Sequence, residues 1–407
     1  MSDLHLLSPK GFVASGIYAG IKTHQVADIG LLICRERAAA AAACFTTNKV
    51  FAAPVKIGRK HVASGKLRGV VVNSGNANAC TGDQGEKDAL RMCDLAASVA
   101  RCKPAEILPS STGIIGHLLP MAKIERGIAE AGLYLGDSAD HARLFSDAIM
   151  TTDTRRKTAA TSFTLGKRTV TLAGICKGAG MIGPRMSVAT AAPHATLLAY
   201  LTTDAAVAAP LLKKLLQQAA DDSFNAVTID DHTSTNDTAV LLASGLSDAE
   251  IASAKSIKAF SAAMKEVCQF LAYQIAADGE GATKVVTINV SQAKAQRDAH
   301  AMARAIANSP LVKCAMNGND PNWGRIVSAA GLAGVPFNPD KATLTLQGTV
   351  VFKNGQPVPF NAAAVSDSLK APEVKVDLTC ALGKAQATVW TCDLSKDYVT
   401  INADYHT

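Results

Sequence analysis

The chain has 407 residues, of which 48% are hydrophobic, so it can bury the interiors of two or three packed domains. Its formal charge of +7 comes from lysines and arginines spread along the sequence. This spread excludes a basic nucleic-acid arm and a polybasic membrane patch. We therefore expect no nucleic-acid partner. No apolar run reaches about 18 residues, and the first residues lack a secretory pattern, so we also expect no membrane segment.

The cysteines and histidines point to a reducing compartment without a metal centre. The ten cysteines form no Cys-x-x-Cys pair and stand among apolar or small residues, which is typical of reduced core thiols. The nine histidines match no metal-ligand spacing. We therefore expect a cytoplasmic protein that holds no metal.

The first third of the chain predicts strands punctuated by helices. A β-branched run at 67–73 predicts a strand that ends in the Ser/Gly/Asn-rich loop 74–82. Asp83 can then cap a helix that extends to about Arg101. A second Ser/Thr/Gly-rich loop is predicted at 109–116.

A hairpin and a small-residue connection follow. Residues 163–165 and 169–172, separated by a Gly-Lys-Arg turn, predict the hairpin. Glycine and alanine dominate the connection 177–195, and a strand is predicted over 196–202.

The second half predicts its helices from apolar spacing. Pro210 fits a first helical turn, and the apolar residues after it lie on one face: Leu211, Leu212, Leu215, Leu216 and Ala219. The longest predicted helix carries Ile257, Phe260, Met264, Cys268, Leu271 and Ile275 and stops at 278–281. A strand at 285–290, a helix over about 293–308 and a loop at 317–325 follow. From about Ala342 the pattern predicts strands and turns, which makes the class mixed α and β.

Thr196 is a candidate nucleophile because of what precedes it. It begins the predicted strand directly after Pro193-His194-Ala195. A threonine hydroxyl needs a base, and breaking the Ala195–Thr196 bond would supply an α-amine with a reference pKa of about 7.7–8.0. Taken alone, the local sequence favours the alternative that Thr196 is an ordinary β-branched strand residue.

Several motifs in order make the sequence resemble the ornithine acetyltransferase family (glutamate N-acetyltransferases) of arginine biosynthesis. Members of that family cut themselves before a threonine in an Ala-Thr-Met/Leu-Leu segment, which here is Ala195-Thr-Leu-Leu198. The other matching motifs span residues 72–82, 111–116, 150–154, 177–182, 233–237, 278–284, 320–325 and 401–407. The resemblance covers essentially the whole chain.

The resemblance implies a role for each matching residue. Thr112 and Gly113 would form an oxyanion hole, and Thr196 would be the nucleophile with its own α-amine as base. The implied substrate-binding residues are Thr151, Lys177, Thr196, Glu280, Asn402 and Thr407. Without the resemblance, Thr112 and Gly113 would be a plain turn, the lysine and glutamate solvated surface charges, and the last residues a frayed terminus.

The resemblance also implies the reaction and the organisation of the chain. Acetyl would pass from N-acetylornithine to glutamate in a ping-pong mechanism without a cofactor, and acetyl-CoA is a further donor to consider. Self-cleavage would give an α chain, 1–195, and a β chain, 196–407, with a C-terminal subdomain from about 285. The two chains would share one α+β fold of layered sheets flanked by helices and associate as α2β2 or larger.

Two departures from the family pattern keep alternatives open. The connection before Thr196 is longer than the family's, so Thr190, which also follows an alanine, is a second cleavage candidate. Ile229-Asp-Asp-His232 differs from the family's Asp-Gly pattern, and we assign Asp230, Asp231 and His232 no role. The rival functions are an N-terminal-nucleophile amidohydrolase or aminopeptidase and an uncut, non-catalytic relative.

Overall fold

The computed structural model describes residues 4–188, 197–232 and 234–404. They belong to two compact units. Of these residues, the first unit holds 4–188, 197–225, 232 and 234–271, and the second holds 226–231 and 272–404. The predicted cleavage products do not coincide with these units, because the first unit contains chain from both sides of residue 195.

Ten strands and five complete helices build the described part of the first unit. The strands are β1 (Phe12–Ile17), β2 (Ile29–Cys34), β3 (Ala39–Phe45), β4 (Lys66–Leu67), β5 (Gly69–Asn76), β6 (Ile107–Ile114), β7 (Lys157–Leu165), β8 (Arg168–Lys177), β9 (Leu198–Thr203) and β10 (Thr238–Ala243). The helices are α1 (Ala53–Val62), α2 (Gly82–Ala100), α3 (Met121–Leu133), α4 (Ala139–Ile149) and α5 (Ala209–Asp221). A sixth, α6 (Ala254–Ala277), belongs to this unit as far as Leu271.

The strands form two sheets that share one core. One sheet has the order β1-β2-β5-β6 and the other β4-β3-β10-β9-β8-β7. Side chains two residues apart point into the same cluster from both sheets, for example Val70 and Val72 of β5 and Val240 and Leu242 of β10. Tyr200 of β9 contacts Phe145 of α4 edge to face within this core.

Helices cover the outer faces of both sheets. The other face of the first sheet packs against α2 and α3 through the side chains of Ile29, Leu31 and Val71. On the second sheet, α5 packs against β3, and the Cys176 thiol of β8 lies 3.7 Å from the Leu271 carbonyl oxygen of α6. The first unit is therefore a four-layer α/β/β/α arrangement, which confirms the mixed class with sheets flanked by helices.

The described residues of the second unit form a single six-stranded sheet. Its strands are β11 (Val285–Ala293), β12 (Thr343–Leu346), β13 (Thr349–Lys353), β14 (Gln356–Pro357), β15 (Glu373–Thr379) and β16 (Ala385–Cys392), in the order β14-β13-β12-β15-β11-β16. Its helices are α7 (Gln296–Asn308), α8 (Pro310–Asn317), α9 (Trp323–Gly331), α10 (Ala362–Ser368) and α11 (Lys396–Asp404). Helix α7 packs on β11 and β16, and Trp323 stacks on Phe352.

Two predicted loops were wrong. The segment 109–116 is mostly strand, because β6 pairs in parallel with β5 and its Ser, Thr and Gly residues tolerate burial between neighbours. The segment 317–325 is a loop only between Asn317 and Trp323, since α8 ends at the first and α9 begins at the second. Helix α2 also begins at Gly82, before the predicted cap at Asp83.

None of the helices in the described part of the chain is long and apolar enough to cross a bilayer.

Candidate active site

The end of β6 presents Thr112 and Gly113 beside β5. Thr112 is buried, and Gly113 has a φ of +131°, a conformation that side chains rarely adopt. A Cβ on Gly113 would lie 2.3 Å from the carbonyl carbon of Gly75. The close approach of β5 and β6 therefore requires glycine here, which leaves its backbone uncovered by a side chain.

Asparagines shape the loop that follows β5. The Asn73 amide donates to the Asn76 carbonyl at 2.8 Å, and Ser111 of β6 donates its hydroxyl to Asn73 at 2.6 Å. Asn76 in turn accepts the Asn78 N–H at 2.8 Å. Because amide side chains both donate and accept, they satisfy this buried loop without adding charge.

Asn236 ties a distant motif to the same strand. Its buried amide nitrogen donates to the carbonyl oxygens of Ala77, at 2.6 Å, and Ser111, at 2.8 Å. Ser111 immediately precedes Thr112. Asn236 therefore fixes the backbone at the start of the predicted oxyanion hole.

Lys177 reaches the same place from β8. It is the last residue of that strand and is 4% exposed. Its Nζ lies 3.4 Å from Oγ1 of Thr112. The predicted substrate-binding lysine and the predicted oxyanion threonine thus belong to one buried cluster, and the surface-charge alternative for Lys177 is wrong.

Asp153 organises the residues behind Lys177. One of its carboxylate oxygens accepts the Lys157 ammonium at 2.6 Å and the Gly178 N–H at 2.7 Å, and the other accepts the Thr151 N–H at 3.1 Å. Burial alone would raise the pKa of Asp153, but Lys177 and Lys157 lower it to about 2. A single ionised carboxylate therefore holds both Thr151 and the chain that follows Lys177.

Lys22 is a third lysine in this neighbourhood. Its ammonium donates to the carbonyl oxygens of Ala27, at 2.8 Å, and Asp147, at 3.3 Å. Burial lowers the pKa of Lys22 to about 8, with a further lowering from the positive charge of Lys177 and an opposing effect from Asp28. The cluster is consequently rich in positive charge, which suits carboxylate ligands.

The cluster also includes Asp237, whose carboxyl group lies beside Leu197, the residue before β9. Asp237 immediately precedes β10, it is fully buried, and its Oδ1 accepts the backbone N–H of Leu197. Burial raises the pKa of Asp237 well above its usual range, although the Leu197 N–H and Lys177 oppose the rise.

Glu280 and Asn402 contact each other in the second unit. The amide of Asn402 donates to Oε2 of Glu280 at 2.9 Å, and Asn402 is exposed on α11. The Tyr398 hydroxyl, also on α11, donates to Asp230 at 3.2 Å. Helix α11 has no buried residue, and side-chain hydrogen bonds to Glu280 and Asp230 hold it.

No group of three His, Cys, Asp or Glu side chains that could hold a metal ion occurs among the residues that the structure describes. None of the ten cysteines, all of which lie in the described part of the chain, forms a disulfide. Seven of them are buried, whereas Cys80 and Cys314 are exposed and Cys102 is intermediate.

A profile of the ArgJ family matches residues 13–407. The chain belongs to the ArgJ family. The arginine biosynthesis bifunctional protein ArgJ of Rhodopirellula baltica is 43% identical over 99% of this chain and 97% of its own length.

Two solved ArgJ-type structures are similar to parts of the chain. The arginine biosynthesis bifunctional protein ArgJ of Bacillus halodurans is 37% identical, with a TM-score of 0.49, over 50% of this chain and 97% of that one. Ornithine acetyltransferase of Mycobacterium tuberculosis, solved with ornithine, is 32% identical, with a TM-score of 0.41, over 46% of this chain and 98% of that one.

The structure brings together some of the residues to which the resemblance to ornithine acetyltransferases assigned roles. Thr112, Gly113, Thr151 and Lys177 lie in the first unit and are linked directly or through Asp153. The second unit carries the Glu280–Asn402 pair. The predictions for Thr190, Ala195, Thr196 and Thr407 concern residues outside the described part of the chain.

Four polar residues of this ArgJ chain have contacts at the site that we did not predict from the sequence: Asp153, Lys157, Asn236 and Asp237. Three of the four stand inside motifs that carried the resemblance, 150–154 and 233–237. Their place within a matching motif was therefore the available signal. Lys157 has no such signal, because it lies outside these motifs and nothing in its local sequence distinguishes it from a surface lysine.

Proposed function

We propose that this chain is a glutamate N-acetyltransferase that takes acetyl from N-acetylornithine and passes it through Thr196. The observation that supports this most is the buried contact between Lys177 and Thr112 in a chain that matches the ArgJ family over nearly its full length. Acyl transfer develops negative charge on a carbonyl oxygen, and each preorganised donor there stabilises the transition state by about 2.7–4 kcal/mol.

The proposed first step is self-cleavage between Ala195 and Thr196. The threonine hydroxyl attacks the Ala195 carbonyl carbon, the peptide C–N bond breaks, and an ester forms as the nitrogen gains the hydroxyl proton. Water then hydrolyses the ester, leaving a carboxylate on Ala195 and a free α-amine on Thr196. Strands β8, β9 and β10 pair side by side, so the two products stay joined in one sheet.

The proposed acetyl transfer uses that amine as the base. Thr196 Oγ attacks the acetyl carbonyl of N-acetylornithine as its proton moves to the α-amine, and the Thr112 hydroxyl and Gly113 N–H donate to the oxyanion. The amide C–N bond breaks, ornithine leaves with the proton, and an acetyl ester remains. The amine of glutamate then attacks the ester, and the threonine hydroxyl recovers a proton as N-acetylglutamate departs.

The remaining residues have binding roles in this proposal. Lys177 pairs with a substrate carboxylate in a cluster that already carries the charges of Lys22 and Lys157. Thr151 offers a neutral hydrogen bond, and Glu280, Asn402 and Thr407 supply further contacts. No cofactor or metal enters these steps. We further propose that the chains associate as α2β2 or larger in the cytoplasm, where free cysteines would persist.

Intact-mass analysis of the purified protein tests the cleavage. Two chains divided between Ala195 and Thr196 are expected, whereas one uncut chain, or a break before Thr190, would contradict the proposal. Thr196→Ala should stay as one chain and have no activity.

Incubation with N-acetylornithine, with and without glutamate, tests the reaction. Ornithine release should depend on glutamate and match the N-acetylglutamate formed. Release without glutamate would indicate a hydrolase instead. Replacing N-acetylornithine by acetyl-CoA determines whether a thioester also serves as donor.

A further inference from the structure

Lys22 is held by two backbone carbonyls and keeps one donor in reserve. It lies in the loop between β1 and β2, and its Nζ donates to the Ala27 carbonyl at 2.8 Å and to the Asp147 carbonyl at 3.3 Å. An ammonium has three donors. The third has no partner among the residues that the structure describes. One donor of Lys22 is therefore available to a ligand.

No carboxylate in the described part of the chain forms an ion pair with this partly buried ammonium. Asp28 is the acidic residue with the largest effect on Lys22, but its two oxygens accept three backbone N–H groups, those of Ala19, Ile21 and Lys22. Burial lowers the pKa of Lys22 to about 8, and Asp28 opposes only part of this effect. Charges withdrawn from water are normally paired, so an anionic ligand is the missing partner.

A short series of contacts connects Lys22 to the predicted oxyanion threonine. The carbonyl that follows the one bonded to Lys22, that of Ala148, accepts the Ser74 hydroxyl at 2.6 Å. Ser74 of β5 is the direct neighbour of Thr112 of β6 in the parallel pair. Neighbouring strands are only about 4.8 Å apart. The ammonium of Lys22 therefore lies at the end of β5 and β6 where Thr112 also lies.

Two lysines of the cluster are suited to bind ligand carboxylates. Lys177 contacts Thr112 at 3.4 Å, and its positive charge contributes to the lowered pKa of Lys22. The two ammonium groups are therefore close together. Lys157 is the third lysine, but it is fully buried in its ion pair with Asp153. That pairing leaves Lys22 and Lys177 for the carboxylates of a ligand.

The two proposed substrates differ at the end of the side chain. Both have an α-carboxylate, but N-acetylornithine ends in an ammonium and glutamate ends in a γ-carboxylate. We infer that Lys22 binds the γ-carboxylate of glutamate, while Lys177 binds the α-carboxylate that both substrates share. This inference rests on the proposed function, because that function supplies the two substrates. Lys22 is then a specificity-determining residue for the acceptor.

The same lysine must also tolerate the ammonium of N-acetylornithine. With a pKa of about 8, a minor but accessible fraction of Lys22 is neutral near pH 7, on the order of a tenth. A neutral amine can accept a hydrogen bond from the substrate ammonium, whereas the charged form binds the γ-carboxylate. Lys22 can therefore serve the two halves of a ping-pong reaction in different protonation states.

Lys22→Met tests the inference with two acceptors. Glutamine has nearly the shape of glutamate, but a neutral amide replaces its γ-carboxylate. In the wild type, kcat/KM should be about 10–100-fold higher for glutamate than for glutamine, because a hydrogen bond between charged groups is lost with the amide. In Lys22→Met this preference should fall by about 10-fold or more. A merely structural role would lower kcat/KM for both acceptors by the same factor and leave the preference unchanged.

The donor gives a second comparison. In a ping-pong reaction, kcat/KM for each substrate reports its own half-reaction. Lys22→Met should lower kcat/KM for glutamate by about 10-fold or more beyond any change for N-acetylornithine. Lys177→Met, by contrast, should lower kcat/KM for both substrates. An equal loss for the two substrates in Lys22→Met would overturn the inference.

Lys123→Met is the matched control. Lys123 of α3 is exposed and donates to the Gly20 carbonyl, so it holds the same loop as Lys22. Its substitution should leave the preference for glutamate over glutamine unchanged. Lys22→Arg keeps the positive charge and should keep most of that preference. If Lys22→Met does not fold, Lys22→Gln is measured instead, since its amide can still donate to a carbonyl, and the same two outcomes apply.

The failure of this inference differs from that of the proposed function. Wild-type protein that does not transfer acetyl from N-acetylornithine to glutamate would contradict the proposed function. Wild-type protein that transfers acetyl, with a preference for glutamate that Lys22→Met leaves unchanged, would overturn the role of Lys22 alone.

Discussion

The Nζ of Lys177 lies 3.4 Å from Oγ1 of Thr112, and both side chains are buried. An ammonium has only donors, so the Thr112 oxygen must be the acceptor in this contact. The threonine proton is then directed elsewhere and can donate to an oxyanion. Lys177 therefore strengthens the hydroxyl donor in addition to its proposed binding of a substrate carboxylate.

Thr112→Val should slow the reaction without weakening substrate binding. Valine keeps the shape and removes the hydroxyl, and loss of one oxyanion donor lowers kcat about 10²–10³-fold. Steady-state kinetics with N-acetylornithine should show this fall at nearly constant KM. Thr202→Val is the control, because Thr202 is also buried and donates its hydroxyl to the Leu6 carbonyl. That variant should lose only about 1 kcal/mol of stability.

A double-mutant cycle with Lys177→Met tests the coupling of these two residues. If the lysine acts partly through the hydroxyl, its substitution should cost less kcat in the Thr112→Val background than in the wild type. The increase in KM from the lost carboxylate contact should be the same in both backgrounds. Additive effects on kcat would show that Lys177 does not act through Thr112.

Asp153→Asn should destabilise the protein as well as the site. The substitution removes the carboxylate from the fully buried ion pair of Asp153 and Lys157, and breaking a buried ion pair typically costs about 3–5 kcal/mol. Denaturant unfolding should show the loss, and KM should rise as Thr151 and Lys177 lose their common anchor. Replacing both members of the pair, in Asp153→Asn with Lys157→Met, should recover part of the stability.

The same carboxylate gives a pH signature. Burial would raise the pKa of Asp153, but Lys177 and Lys157 lower it to about 2. A group with a depressed folded pKa stabilises the fold above its unfolded pKa, near 3.9, and loses that contribution as pH falls toward 2. Between about pH 4 and 2, wild type should lose stability more steeply than Asp153→Asn. Parallel curves would contradict the assignment.

Sequence patterns identified the elements that are amphipathic or β-branched and missed those that depend on partners. The hairpin of β7 and β8 and the long helix α6 follow from local spacing, and both predictions are confirmed. Strand β3 contains five alanines, which favour helix, but it pairs with β10 and packs under α5. No local signal indicates those partners.

Contacts between distant parts of the chain were also not predictable at the site. The matching motifs indicated Thr112 and Lys177, but not their contact, because β6 and β8 belong to different sheets. Asp153 and Asp237 lie within matching motifs, but the resemblance assigned them no role. Their roles depend on burial and on hydrogen bonds to Gly178 and Leu197, and only the fold shows these contacts.

Gly113→Ala should abolish activity through a backbone displacement. The added Cβ would meet the Gly75 carbonyl carbon at 2.3 Å, so β5 and β6 must separate at the proposed oxyanion donors. Gly116→Ala is the control, since Gly116 also has a positive φ of +89° but a Cβ there meets nothing within 4 Å. Both variants should lose about 1 kcal/mol from the strained φ. Only Gly113→Ala should lose kcat, and an active Gly113→Ala enzyme would exclude an oxyanion role for this residue.

Asn402→Ala tests whether the C-terminal helix contributes to substrate binding. Asn402 is exposed and donates to Glu280 at 2.9 Å, so its loss should change the free energy of unfolding by less than about 0.5 kcal/mol. A binding role would instead appear as a higher KM at nearly constant kcat. Thr400→Ala, on the same helix, removes a hydroxyl that bonds only to the Lys396 carbonyl within the helix, at 3.3 Å, and should leave KM unchanged. Equal KM values for the two variants would assign Asn402 to holding α11 through Glu280 and not to the substrate.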